Sequence, residues 1–243
     1  MKKIMLTLAV LGFAGQAMAY DAEVGGELRT ADFNDVLSIF GSYYLDGVKD
    51  TSGPLREAAF LDQANEVRAG FDDYDGGSAL TFGGRYIDKA SGFFGDGELS
   101  VGDIDGFRLE GGLYLSSAST VSFFYDDKDD FFESFGAEYK QVVFQNDGTY
   151  MNLEAGVEQI DQFNADATLV SVGGDYYLDK NTSVGAGVSV AFGDADGFGF
   201  EVQGTKFVDQ NLSFNLGLSF TDYDNSDSDI GLILGARYRI SKM

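Results

Sequence analysis

The chain carries 40 aspartates and glutamates against 16 lysines and arginines, with no histidine and no cysteine, and this set narrows the chemistry open to it. Nucleophilic catalysis by serine or cysteine ordinarily needs a histidine as general base, so those mechanisms are excluded. Zinc sites built from histidine or cysteine are excluded with them. Paired carboxylates remain. Glu154 and Glu158 fall on one face of an extended segment, but at about 3.3 Å per residue they stand roughly 13 Å apart. That is too far for a two-carboxylate glycoside hydrolysis, which works at roughly 5–9.5 Å. The acidic stretches at residues 194–196 and 222–229 are rich in carboxylate oxygen, but neither has the spacing of a twelve-residue calcium loop ending in glutamate. We therefore expect no catalytic residue, no metal site and no cofactor. The chain is read as not an enzyme.

Charge excludes a further class. Residues 1–19 read as a removable export signal: Lys2 and Lys3, then a short apolar run over residues 4–12, then Ala17-Met18-Ala19 with small residues where a signal peptidase reads. The run is too short to cross a bilayer as a helix. Losing it removes two lysines and no acid, which moves the formal net charge from −24 to −26. Nucleic acid, which needs a basic face, is excluded as a partner. At 44% hydrophobic and 14% aromatic residues the chain has the composition to fold.

The elements that must carry these charges are strands. In residues 211–223, Leu212, Phe214, Leu216, Leu218 and Phe220 alternate with Ser213, Asn215, Gly217, Ser219 and Thr221. Successive side chains of a strand point to opposite faces, so one face is apolar and the other small and polar. The same pattern runs through Ile230, Leu232, Leu234, Ala236, Tyr238 and Ile240, through Val184, Val188 and Phe192, and through Leu80, Phe82 and Tyr86. A soluble sandwich alternates too. Strands of about ten residues, the export signal and a single proline among 243 residues select a transmembrane barrel instead.

Fourteen segments are expected, at 21–31, 35–46, 63–74, 78–88, 91–102, 106–117, 119–127, 132–144, 149–160, 165–178, 181–193, 197–208, 211–223 and 229–241. The fold class is all-β: an antiparallel up-and-down transmembrane β-barrel of about fourteen strands. Residues 91–102 are the most glycine-diluted segment. Without them and the first segment the count is twelve. Compact connections alternate with acidic ones, which puts the acidic loops outside and the compact turns in the periplasm. The one long link, residues 47–62, falls on the periplasmic side, and Pro54 ahead of Glu57-Ala58-Ala59-Phe60-Leu61 predicts a short helix there.

In such a barrel the polar faces line the interior. The candidate pore-lining residues are Arg29, Arg68, Arg85, Arg108, Glu110, Glu138, Lys140, Glu154, Glu158, Asp175, Glu201, Arg237 and Arg239, with Glu23, Glu27, Glu66, Asp96 and Glu98 as further interior acids. Arg108 near Glu110, and Glu138 near Lys140, are placed to pair across neighbouring strands. Acids outnumber bases, so a water-filled interior is expected to favour cations. An interior closed by ion pairs is the alternative. About fourteen strands leave more room than side chains alone fill.

The block Gly53-Pro54-Leu55-Arg56-Glu57-Ala58-Ala59-Phe60-Leu61, the opening Tyr20-Asp21-Ala22-Glu23-Val24 and the hairpin residues Val172-Gly173-Gly174-Asp175-Tyr176-Tyr177-Leu178 carry a family resemblance. The whole mature chain resembles a family of general bacterial porins of gammaproteobacteria. The resemblance implies a barrel in the Gram-negative outer membrane that lets small hydrophilic solutes or ions diffuse, with no catalytic residues. Implied partners are outer-membrane lipid, lipopolysaccharide and the barrel-assembly machinery. The chain departs from many such barrels in ending on Ile240-Ser241-Lys242-Met243 rather than on an aromatic residue.

Overall fold

A computed structural model describes residues 20–31, 35–49, 53–128, 132–145, 148–162, 165–194, 196–223 and 228–241. The expected export signal, residues 1–19, lies outside them, as do residues 224–227 of the acidic stretch 222–229. The strands are β1 (Tyr20–Thr30), β2 (Val36–Val48), β3 (Glu66–Tyr74), β4 (Gly77–Ile87), β5 (Phe93–Gly102), β6 (Gly106–Ser116) and β7 (Ser119–Lys128). They continue as β8 (Phe132–Phe144), β9 (Tyr150–Gln162), β10 (Ala165–Asp179), β11 (Thr182–Gly193), β12 (Gly197–Phe207), β13 (Leu212–Tyr223) and β14 (Asp229–Ile240). Each strand pairs antiparallel with the next, and β14 returns to β1 to close the barrel. Val24 lies opposite Tyr238 across that seam. Closure removes the two open edges that a sheet of this size would otherwise present.

The glycine-diluted segment is a full member as β5, so the twelve-strand alternative falls away. A ladder is held by backbone N–H and C=O groups, and Gly95 and Gly97 supply these as well as any residue. The alternation around them is intact: Phe93, Leu99 and Val101 are exposed while Phe94 and Ser100 are buried.

The outer wall is apolar. Leu80, Phe82, Tyr86, Val184, Val188, Phe192, Phe214, Leu216 and Leu218 are all exposed there. A water-soluble protein rarely exposes so broad an apolar surface, whereas lipid receives it without penalty. No helix among the described residues is long and apolar enough to cross a membrane, and it is the strands that cross.

The connection from β2 to β3 enters the barrel. After Pro54 it forms a 3-10 turn, Leu55–Glu57, and one turn of helix α1 (Ala58–Leu61). It starts at the barrel end where β1 begins and β14 ends, with Tyr20 opposite Val48 and Ala22 opposite Ile240. Two apolar pads hold it. Ala58 packs with Tyr20, Tyr44, Val48 and Ala64, all buried. On the other side Phe60 packs against the buried Ile87, Phe94 and Tyr114. Gln63 then adopts a left-handed backbone, φ 50°, which ends the helix and turns the chain back toward β3. We call residues 53–62 the strap.

Candidate functional site

The strap reaches across the barrel because polar groups of Leu55, Arg56, Glu57 and Phe60 meet partners on the barrel strands and turns. The Leu55 amide donates to the Lys180 carbonyl at 2.8 Å in the β10–β11 turn. Arg239 of β14 donates through Nη2 to the Leu55 carbonyl at 2.6 Å. Arg56 donates to Asp175 of β10 at 2.7 Å and to Gln203 of β12 at 3.4 Å. Glu57 accepts from the Tyr177 hydroxyl at 2.8 Å and from Lys140 Nζ at 2.8 Å. The Tyr114 hydroxyl donates to the Phe60 carbonyl at 3.3 Å. With its side chain 4% exposed, Glu57 is buried inside the barrel between a phenol and an ammonium group that both donate to it. Burial opposes the charge on Arg56, but Asp175, Tyr177, Glu57 and Glu154 around it together outweigh this and hold its pKa above the ordinary arginine value.

On the β3–β8 side the interior is filled. Arg68 binds Asp96 through two nitrogens, at 2.6 and 2.9 Å, and Glu98 at 3.1 Å. Arg85 shares Asp96 at 2.9 Å and reaches Glu110 at 3.4 Å. Arg108 meets Glu138 at 3.1 Å and lies over the Phe124 ring at 3.9 Å. Lys140 bridges Glu57 and Glu154, the latter at 3.1 Å. The expected cross-strand pairing is therefore present with its partners exchanged: Arg108 takes Glu138, while Lys140 takes Glu57 and Glu154. Near the β1–β14 seam, Glu23 receives Arg237 at 3.4 Å and Arg239 at 3.0 Å, and Glu27 receives Arg29 at 2.8 Å.

What remains open is a main cavity of about 700 Å³ and a smaller one of about 190 Å³ nearer the seam. Of the sequence-derived candidates, Arg85, Glu110, Glu138, Lys140, Glu154, Glu158, Asp175 and Glu201 line the main cavity. Arg29, Glu201, Arg237 and Arg239 line the smaller one. Arg68 and Arg108 sit within the ion-pair clusters of the filled side. Arg56, Glu201 and Gln203 line both cavities and stand at the boundary between them. Sequence reasoning missed Arg56 and Glu57 as interior groups. Their signal was present: an adjacent arginine and glutamate inside an otherwise apolar helix need partners if that helix is to be buried. Among the described residues no group of three or more carboxylates is placed to hold a metal ion.

A closed antiparallel barrel with an apolar outer wall and a charged interior defines the class, a transmembrane outer-membrane barrel. The model of the general bacterial porin family matches residues 1–135 and 119–240, so the chain belongs to that family and resides in the outer membrane as a porin-type barrel. Among solved structures it is similar to the Acinetobacter baumannii outer membrane protein Omp33, with a TM-score of 0.77, 21% identity, and 93% of this chain and 100% of that one covered. It is also similar in fold to a loop-deletion mutant of OmpT, an outer membrane protein of Vibrio cholerae, with a TM-score of 0.51, 11% identity, and 90% and 98% covered. A bacterial polysaccharide outer membrane secretin aligns with a TM-score of 0.53, 8% identity, and 92% and 99% covered. Comparison with curated protein sequences finds no match.

Proposed function

We propose that the chain is a passive diffusion channel for small hydrophilic solutes, with a preference for cations. The observation that carries this reading is the lining of the main cavity: six carboxylates (Glu110, Glu138, Glu154, Glu158, Asp175, Glu201) against three cations (Arg56, Arg85, Lys140), a surplus of three negative charges. An interior of that sign concentrates cations and repels anions, the more so where low-dielectric walls focus the field. The strap narrows the route at the barrel end where β1 begins and β14 ends. Lipopolysaccharide around the barrel and the assembly machinery during insertion are the partners such a barrel needs.

The strap also favours a second reading, in which its ion pairs close the barrel and the protein serves as a non-conducting surface element. One measurement separates the two. The full-length barrel, folded as judged by heat-modifiable gel mobility, is placed in a planar bilayer under a salt gradient. Channel events with a reversal potential of cation sign are expected. A folded barrel that gives no events, or that prefers anions, overturns the proposal.

A further inference from the structure

The interior wall formed by β9–β13 differs from the rest. Glu201 of β12 lies opposite Gly187 of β11, Gly187 opposite Gly173 of β10, and Gly173 opposite Glu154 of β9. Two bare glycines therefore separate two glutamates across the middle of the wall. A Cβ built on Gly187 would have its nearest neighbours at 3.9 Å, an ordinary contact distance, so this glycine is not needed to make room for a neighbour and leaves the wall low where a side chain would fit. Ser171 and Ser189 continue the shallow surface, and both line the main cavity.

The charges on this wall differ as well. Arg85, Arg56 and Lys140 are each held by at least one carboxylate, which ties up Glu110, Asp175 and Glu154. Glu158 and Glu201 line the same cavity, and among the described residues neither has a hydrogen-bond or ion-pair partner. A paired carboxylate presents a dipole, whose field is short-ranged. An unpaired one presents a full charge, felt over a Debye length of about 10 Å at 0.1 M salt. Glu201 also stands with Arg56 at the boundary between this cavity and the smaller one.

We infer that solute crosses the barrel along the β9–β13 wall, past Arg56, Glu201 and Gln203, and that Glu158 and Glu201 are the residues that set its cation preference. This rests on the reading of the barrel as a cation-preferring channel. Each passing cation meets a carboxylate that has no internal partner to give up. The filled side supplies rigidity and a nearly neutral wall.

The test is the reversal potential of the full-length barrel in a salt gradient, measured for the wild type, E158Q, E201Q, the double variant and E98Q. Glu98, paired with Arg68 on the filled side, is the control that removes the same single charge. Neither Glu158 nor Glu201 leaves a partner orphaned when neutralised, so both variants should fold. The double variant is expected to lose most of the cation preference, and E98Q to shift it much less than E201Q does. A cation-selective wild type with E98Q and E201Q shifted equally overturns the inference and leaves the channel reading standing. A wild type without cation preference overturns both. Gly187→Leu gives an independent check, since a side chain there should lower conductance; unchanged conductance places the route elsewhere and overturns the inference.

Discussion

The β3–β8 half of the barrel interior and the β9–β13 half are made of the same alternating strands, yet their inward glycines make room for side chains of different size. In the filled half, glycine makes room for a neighbour. Phe94 lies directly opposite Gly112, and Phe124 opposite Gly136, and a Cβ on either glycine would run into the ring. Those rings in turn support Arg85 and Arg108. In the open half, Gly185 and Gly199 make room only for the shorter Asp175 and Ser189, and a Cβ on Gly187 would meet nothing nearer than 3.9 Å. The lesson concerns what sets the width of a barrel. Strand number fixes the backbone cylinder, and inward side-chain volume decides which part of it is occupied.

The largest effect is expected from the strap, which crosses between the halves. Replacing residues 53–62 with a short glycine-serine turn should raise single-channel conductance several-fold and weaken the distinction between the two cavities. Unchanged conductance would mean that the strap is not the narrow point. The next largest effect belongs to the filled half alone. Asp96→Asn leaves Arg68 and Arg85 competing for weaker partners. Breaking a buried pair of this kind costs about 3 kcal/mol. It should appear as a lower urea midpoint for unfolding from lipid vesicles, with reversal potential little changed. A large selectivity change without loss of stability would blur the contrast between scaffold and route. The smallest effect is one of conditions. Raising salt from 0.1 M to 1 M shortens the Debye length from about 10 Å to about 3 Å. The cation preference should shrink steadily over that range, and a preference independent of salt would point to size rather than charge as the filter.

Much of this barrel was legible in the chain. The fourteen strands follow from alternation, and their ends agree with the expected ones to within about three residues. The inward charges were also readable, because a period of two assigns each side chain to a face without reference to any other strand. The pairing of those charges was not. Arg108 meets Glu138 rather than Glu110, because which residues meet across strands depends on the register and stagger of the closed barrel. Arg56 and Glu57 were readable only as part of a periplasmic link. Their partners lie 119 and 120 residues away, at Asp175 and Tyr177.

The sequence by itself determined the architecture, the sign of the interior and the face on which each residue stands, since these are local properties of alternating polarity and composition. Only the tertiary structure decided that the link after β2 turns inward, that ion pairs fill one half, and that Glu158 and Glu201 are left without partners among the described residues. Those outcomes depend on barrel closure, which brings residues more than a hundred positions apart within hydrogen-bonding distance. No periodicity along the chain encodes such contacts.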